Sequence, residues 1–256
     1  MDILQISDNI LHFHFPNKND PERFSNCIFA LLNGSETILI DTAYADEAKE
    51  VKDYLDKEGF TVKKTIISHF HPDHFEGCKE FPDSEIWISK DYHFIRNFWQ
   101  TTYPDEYIPL ADHEIIEGEE LVFGHHILKF NEAPGHSHCS LITNINNLYI
   151  HTGDLLLITD KGILSIPYMG EDGSHSAYLS SLNFLDQIKE FTILPAHGFS
   201  FRDSNRADEY ISRTRHYIQN IIESRGKTTV ESCLPDETDK WANLYFHKYN
   251  IKHFED

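Results

Sequence analysis

The chain has 256 residues, 40 % of them hydrophobic and 13 % aromatic, values of a globular protein with ample core for one large domain or two small ones. A formal net charge of −20 repels phosphate backbones and sets nucleic acid at a disadvantage as a partner. No apolar run approaches membrane-spanning length, residues 1–8 lack the basic and apolar segments of a secretion signal, and Cys27, Cys78, Cys139 and Cys233 stand apart with no C-x-x-C. The expectation is a cytoplasmic protein with no membrane partner, no disulfide framework and no thiolate zinc site.

In chain order, apolar runs at 27–32 and 37–40 around Asn33-Gly34 predict a hairpin. Ala48, Val51 and Leu55 at helical spacing predict a helix over 46–58 that stops at Gly59. Strands follow at 62–67 and 85–89, with a helix over 92–99. A hairpin is expected over 121–130 around Gly124, and another from 140–143 and 147–151 around Asn146-Asn147. Leu179, Leu182, Leu185 and Ile188 predict an amphipathic helix over 176–189, followed by a strand at 191–194 and a long final helix over 207–225. Strands alternating with hairpins and a few helices suggest sheets covered by helices on their outer faces. No internal boundary precedes residue 200, no repeat has a fixed period, and the stretch from Lys227 onward is mixed in composition and fits no element.

The chemistry concentrates in His69-Phe70-His71-Pro72-Asp73-His74, three imidazoles and a carboxylate of the kind a borderline divalent cation prefers. The run follows the β-branched, apolar stretch 65–68, and Pro72 blocks continuation of that strand, so the histidines fall on a stiff loop at a strand's carboxyl end. In open α/β sheets that is where ligands bind. Neighbouring loop positions point in different directions, so the cluster can serve two metals. With 17 histidines in the chain, a solvated His-rich loop is the alternative for this motif alone. Three later strand ends repeat the device: His136 after Pro134-Gly135, Asp154 after Gly153, and His197 between Pro195-Ala196 and Gly198. Each alone reads more readily as a capped turn or a satisfied surface histidine than as a ligand. Together they bring the set to five histidines and two aspartates, about right for two metals with open positions.

Ile40-Asp41-Thr42, the H-x-H-x-D-H run, Pro134-Gly135-His136-Ser137, Gly153-Asp154 and Pro195-Ala196-His197-Gly198 together resemble the metallo-β-lactamase superfamily. The resemblance implies an α/β fold, the αββα sandwich: two mixed β-sheets face to face, flanked by helices, with a dinuclear site along one edge. Residues 1–200 would form the catalytic domain, and 201–256 a C-terminal helical extension packed on it. By motif position, His69, His71 and His136 would bind one metal, Asp73, His74 and His197 the other, and Asp154 would bridge. Asp41 matches an aspartate that orients ligand imidazoles through their distal N–H, although a solvated turn residue is an equal reading. Three positions depart from the pattern. Ser137-His138-Cys139-Ser140 replaces a small-residue turn, so that His138 and Cys139 either intrude on the pocket or, as expected, face away. His151 stands where an apolar residue is usual and reads as a hydrogen-bonded strand histidine. Ala196 replaces a glycine.

Two divalent ions, Zn2+ first with Fe or Mn as alternatives, would supply a bridging hydroxide that attacks a carbonyl, with Asp73 as the catalytic carboxylate that orients it. No serine nucleophile is required, and no G-x-S-x-G occurs. The expected activity is hydrolysis of a small thioester, lactone or ester. Glyoxalase II-type thioesterases are the nearest comparison in size, although their glutathione-binding C-terminal pattern is not recognisable; lactonases share the ligands. Arg202, Arg206, Arg213 and Arg215 either meet an anionic acyl carrier or are solvated. A phosphodiesterase or nuclease of the same fold, a mononuclear iron sulfur dioxygenase and a metal-keeping sensor are the competing classes. A flavodiiron protein would have Glu in place of His71. Tyr92, Phe94, Phe98, Trp99, Tyr103 and Tyr107 crowd one stretch broken by Pro104 and Pro109; some are core, and Phe98, Trp99, Tyr103 and Tyr107 are the expected walls of an apolar pocket. A small-molecule partner is expected, with a homodimer left open.

Overall fold

Alternate residues of the buried strands enter different cores, Phe29 and Leu31 one and Ile28 and Ala30 the other. In the computed structural model, which describes residues 1–17, 24–187 and 190–254, strands β1 (Asp2–Ser7), β2 (Ile10–Phe15), β3 (Asn26–Asn33), β4 (Glu36–Ile40), β5 (Thr61–Ile67), β6 (Glu85–Ser89) and β7 (His113–Ile115) lie side by side in that order. Pairing is antiparallel as far as β4 and parallel from β4 to β7. The second sheet runs β12 (Thr192–Leu194), β11 (Tyr149–His151), β10 (Leu141–Ile145), β9 (His126–Glu132), β8 (Glu120–Phe123), antiparallel except for β11 beside β12. Phe29, Leu31, Ile38, Ile40 and Ile66 of the first sheet meet Leu128, Phe130, Leu141 and Ile145 of the second, and this is the inner core.

The alternate residues face outward onto helices. Helix α1 (Ala45–Glu58) lays Ala48, Val51 and Leu55 on Phe13, Ile28, Ala30 and Leu39. Helices α2 (Pro72–Phe75) and α3 (His93–Thr102) bring Phe75 and Ile95 to Ile67, Phe70 and Ile88. On the opposite side, α4 (His175–Leu185) and α5 (Ser204–Ser224) press Tyr178, Leu182, Leu185, Ile218 and Ile221 against Ile142, Ile150 and Ile193. Each such side chain contributes about 1.5–3 kcal/mol when fully buried. The layers are helix, sheet, sheet, helix: two mixed sheets flanked by helices. Two short helices, α6 (Val230–Cys233) and α7 (His247–Asn250), lie beyond α5 in the stretch that fitted no element in the sequence.

Local chemistry explains the element ends. Gly59 closes α1 at φ 81°, and Asp203 starts α5 three residues early by accepting the Asn205 and Arg206 N–H groups at 3.0 and 3.1 Å. Asn146 and Asn147 turn β10 into β11 at φ 57° and 53°. Helix α4 ends at Leu185, short of the expected residue 189; Ile188 and Lys189 lie outside the described residues. The β1–β2 hairpin escaped the sequence pattern because histidines occupy inward positions: His12 stacks on Phe29 at 4.5 Å, and His14 stacks on Phe199 at 4.3 Å while its Nε2 meets the Asp160 carboxylate at 2.9 Å.

The histidine loop is welded to α1 at Gly77. Its N–H donates to the Ala43 carbonyl at 3.0 Å, and a Cβ there would stand 2.2 Å from the Thr42 carbonyl oxygen and 2.4 Å from Ala48 Cβ. Gly77→Ala is therefore expected to cost about 3 kcal/mol in urea unfolding. A loss below about 1 kcal/mol would show that α1 can slide to make room.

Candidate metal centre

All seven predicted side chains converge at one end of the strands. His69, His71, Asp73 and His74 follow β5, His136 sits between β9 and β10, Asp154 follows β11 and His197 follows β12. The chain reaches this arrangement through strained backbone: Asp41 and Ala43, just past β4, have φ 59° and 52°, a region that costs a non-glycine residue on the order of 1–3 kcal/mol. Main-chain bonds hold it, Asp41 N–H to the Ile66 carbonyl at 2.8 Å and Thr42 N–H to the His74 carbonyl at 2.9 Å.

Three ring nitrogens form one group: His69 Nε2, His71 Nδ1 and His136 Nε2, separated by 3.0, 3.0 and 3.1 Å. His136 Nδ1–H donates to the Tyr168 carbonyl at 2.7 Å, so its Nε2 faces the triangle with a lone pair. Asp73, His74 and His197 form a second group, the carboxylate 3.7 Å from His74 Nε2 and 3.8 Å from His197 Nε2. Asp154 stands between. Its Oδ2 faces His136 and His69 at 3.4 and 3.8 Å, its Oδ1 His197 and His74 at 3.2 and 3.5 Å.

The outer nitrogens are anchored. His74 Nδ1–H donates to Asp41 Oδ2 at 2.8 Å, and His197 Nδ1–H to the Ser25 carbonyl at 2.6 Å. Asp41 itself accepts the Ser68 N–H at 2.7 Å and the Ser68 hydroxyl at 2.8 Å. Fixing the outer N–H fixes the tautomer and leaves the inner nitrogen a ligand. His74 Nε2, buried and aimed at two carboxylates, has no hydrogen-bond partner. Such a donor set fits divalent cations in two adjoining positions.

Electrostatics agree. Burial, then neighbouring imidazoles, pushes His71 down to about 3 and His69 well below the usual range; burial also lowers His136. These three are neutral, as ligands must be. Burial opposes charge on His74 as well, yet the Asp41, Asp73 and Asp154 carboxylates lift it to about 10. Burial disfavours ionised Asp154, but the His197 and His74 imidazoles hold it well below the carboxylate range. The carboxylates demand positive charge at this spot.

A cavity of about 360 Å³ opens in front of the cluster, walled by Phe24, Tyr44, Phe98, Trp99, Tyr168 and Phe246. Phe98 and Trp99 are thus where the sequence placed them, but Tyr103 and Tyr107 are not on the wall. The Tyr103 hydroxyl donates to the Glu76 carboxylate, and Tyr107 lies under the Lys79 ammonium, 3.7 Å from its ring centroid. Tyr92 is core against Phe70, and exposed Phe94 touches His138. Neither His138 nor Cys139 enters the cavity; Cys139 is buried, its sulfur accepting the Phe70 N–H at 3.3 Å. His151 takes the Gly153 N–H at 3.4 Å and lies 3.7 Å from Asp41. Arg213 and Arg215 pair with Asp236 and Asp186, and Arg206 covers Phe201, all away from the cavity. Sequence reasoning missed Tyr44, two residues past Ile40-Asp41-Thr42, and Phe24, Tyr168 and Phe246, which have no motif around them, together with the Ser25 and Tyr168 carbonyls, which any residue type supplies.

Paired histidine–aspartate clusters at the strand ends of two sheets flanked by helices define a class of proteins with the donor set of a metal centre. Residues 20–197 match the profile of the Metallo-beta-lactamase superfamily, and the chain belongs to it. The chain is 25 % identical over 197 residues to the Beta-lactamase-like protein 2 homolog of Drosophila melanogaster, a match covering 74 % of this chain and 62 % of that one, under two thirds of the relative's length. It is 24 % identical to Hydroxyacylglutathione hydrolase 1 of Vibrio vulnificus (strain YJ016), over 77 % and 72 % of the two chains. Among solved structures, a metallo-beta-lactamase family protein from Thermus thermophilus superposes with a TM-score of 0.71 over 97 % of this chain and 95 % of its own, at 17 % identity. A metallo-beta-lactamase from Pontibacter korlensis gives 0.68 over 86 % and 99 %, at 14 % identity.

Asp41→Asn tests the anchoring of His74. The amide keeps the shape but not the charge that holds the ring's N–H. One of two bound ions is expected to be held roughly 10–100-fold more weakly in chelator competition, with the other unchanged. Undiminished affinity for both ions would reduce Asp41 to a turn residue.

Proposed function

We propose that the chain is a binuclear metallohydrolase acting on the carbonyl of a small thioester, lactone or ester with an apolar acyl group. The observation that carries this is Asp154: one oxygen turned to each of two three-residue groups, beside a cavity walled by rings. His69, His71 and His136 would hold one ion, Asp73, His74 and His197 the other, with Asp154 between; zinc suits the nitrogen and oxygen set best, with iron or manganese as alternatives. When bound, the ions supply a nucleophilic hydroxide at neutral pH and an electrophile for the carbonyl oxygen.

The chain's own residues do the rest. Asp73 is the least buried of the seven, its carboxylate on the cavity wall, where it can accept a hydrogen bond from the attacking water and aim its lone pair. The anchored rings of His74 and His197 hold their donors fixed and need no reorganisation. Among the described residues, the ionised groups lining the cavity are Asp73, Asp154 and Glu171, with no lysine or arginine. The rings favour an apolar acyl group, and no basic side chain is there to help hold a polyanion. The hydroxyacylglutathione hydrolase name of several relatives supports a thioester. We further propose that residues 1–200 and 201–256 act as one unit. The core that α5 shares with α4 and the second sheet supports this, and a cytoplasmic location is part of the same reading.

Asp73→Asn is expected to lower kcat by roughly 10²–10⁴-fold while thermal unfolding moves little; a fully metallated variant with unchanged turnover would take Asp73 out of the chemistry. In a side-by-side panel, thioesters or lactones with medium apolar chains should outrun β-lactams and bis-aryl phosphodiesters. A phosphodiester turned over tenfold faster than every carbonyl substrate would favour a phosphodiesterase instead.

A further inference from the structure

We propose that Asn250, beyond the superfamily-matched residues, is a positioning residue for His136. The proposal rests on His136 being a metal ligand. Along 167–170 the main-chain groups alternate in direction, as in a strand with a partner on each side. On one side, the Pro167 carbonyl accepts from Asn250 Nδ2 at 2.6 Å, and the Met169 N–H donates to Asn250 Oδ1 at 3.1 Å. On the other, the Tyr168 carbonyl accepts from His136 Nδ1 at 2.7 Å, and the Gly170 N–H donates to the His136 carbonyl at 2.8 Å. One carboxamide stands in for a neighbouring strand, and the four-residue strip is clamped between it and the histidine.

The clamp is itself fixed. Asn250 is fully buried, and its Nδ2 also donates to Tyr217 Oη at 3.0 Å. That hydroxyl donates to His247 Nδ1 at 2.9 Å, and His247 Nε2–H reaches the Thr228 carbonyl at 3.3 Å. The two bonds to the strip already set the plane of the amide, and the Tyr217 hydroxyl takes up its remaining N–H. Upstream, Ile166 N–H donates to the Ala242 carbonyl at 3.1 Å and Ala242 N–H to the Leu164 carbonyl at 3.0 Å, which extends the grip of the C-terminal segment along the strip. There is no slack on the far side: a Cβ on Gly170 would lie 3.1 Å from His71 Nε2 and 3.2 Å from the His136 carbonyl oxygen. Releasing the strip frees the carbonyl that fixes the His136 ring. The same segment carries Phe246 onto the cavity wall, so ligand and wall are set from one place.

The test compares Asn250→Asp, which keeps the acceptor and loses the donors, and Asn250→Leu, which loses both, with Tyr217→Phe, which leaves the strip's bonds intact. In zinc titrations against a chelator, one of two ions should be held roughly 10–100-fold more weakly in the Asn250 variants and neither in Tyr217→Phe. In zinc-free protein, the His136 Nδ1–H should be a protected ring proton by NMR in wild type and Tyr217→Phe, and exchange fast in the Asn250 variants. Wild type holding fewer than two ions would sink the binuclear reading, and the ring proton would then decide the role of Asn250 alone. Equal weakening of both ions, an unchanged ring proton, or failure of both Asn250 variants to fold overturns the proposal.

Discussion

Three of the five imidazoles at the centre have the outer nitrogen committed by the fold, so that the inner one is left facing the cluster. His74 is held by the Asp41 carboxylate, His197 by the Ser25 carbonyl and His136 by the Tyr168 carbonyl, all at 2.6 to 2.8 Å. A buried ring free to flip would hide its lone pair half the time or turn a proton toward its neighbours. Much of the surrounding architecture serves these three bonds. The left-handed turn at Asp41 brings a carboxylate beneath two loops, and the weld at Gly77 keeps the histidine loop over it.

Parts of this were readable in the sequence because chemistry restricts the residue types. A borderline cation leaves few choices for ligands, and Gly or Pro beside them marks a strand end, so His69, His71, Asp73, His74, His136, Asp154 and His197 could be named before their convergence was visible. The hairpins and helices α1, α4 and α5 were legible from periodicity, because one face of each meets a core. Periodicity failed in β2, where histidines fill inward positions, and in the C-terminal stretch, where the helices are too short to show a period and α7 is held largely by side-chain hydrogen bonds.

The anchors and walls were legible only in part. Asp41 carried a motif; the carbonyls of Ser25 and Tyr168 carry none, since a backbone oxygen is the same in every residue. The cavity wall misled for a related reason. A run of aromatics along one stretch pointed to that stretch as the wall, but helical geometry turns only some of its rings inward. Glu76 takes up the Tyr103 hydroxyl, while Phe24, Tyr168 and Phe246 arrive from elsewhere.

The strand order has a consequence for how the protein comes into being. β11 and β12 are parallel neighbours separated by some forty positions of chain, and the two metal groups draw on both sheets. Loop closure of that length precedes its reward, so such topologies fold slowly. The centre therefore exists only after the last sheet has docked, and an ion that binds the finished protein pulls the equilibrium by mass action without guiding the search. At a thousandfold excess over its dissociation constant it adds about 4 kcal/mol, on the order of the stability of a small domain. If the proposed ions bind, metal supply would add to the stability of this chain without being a condition of its folding.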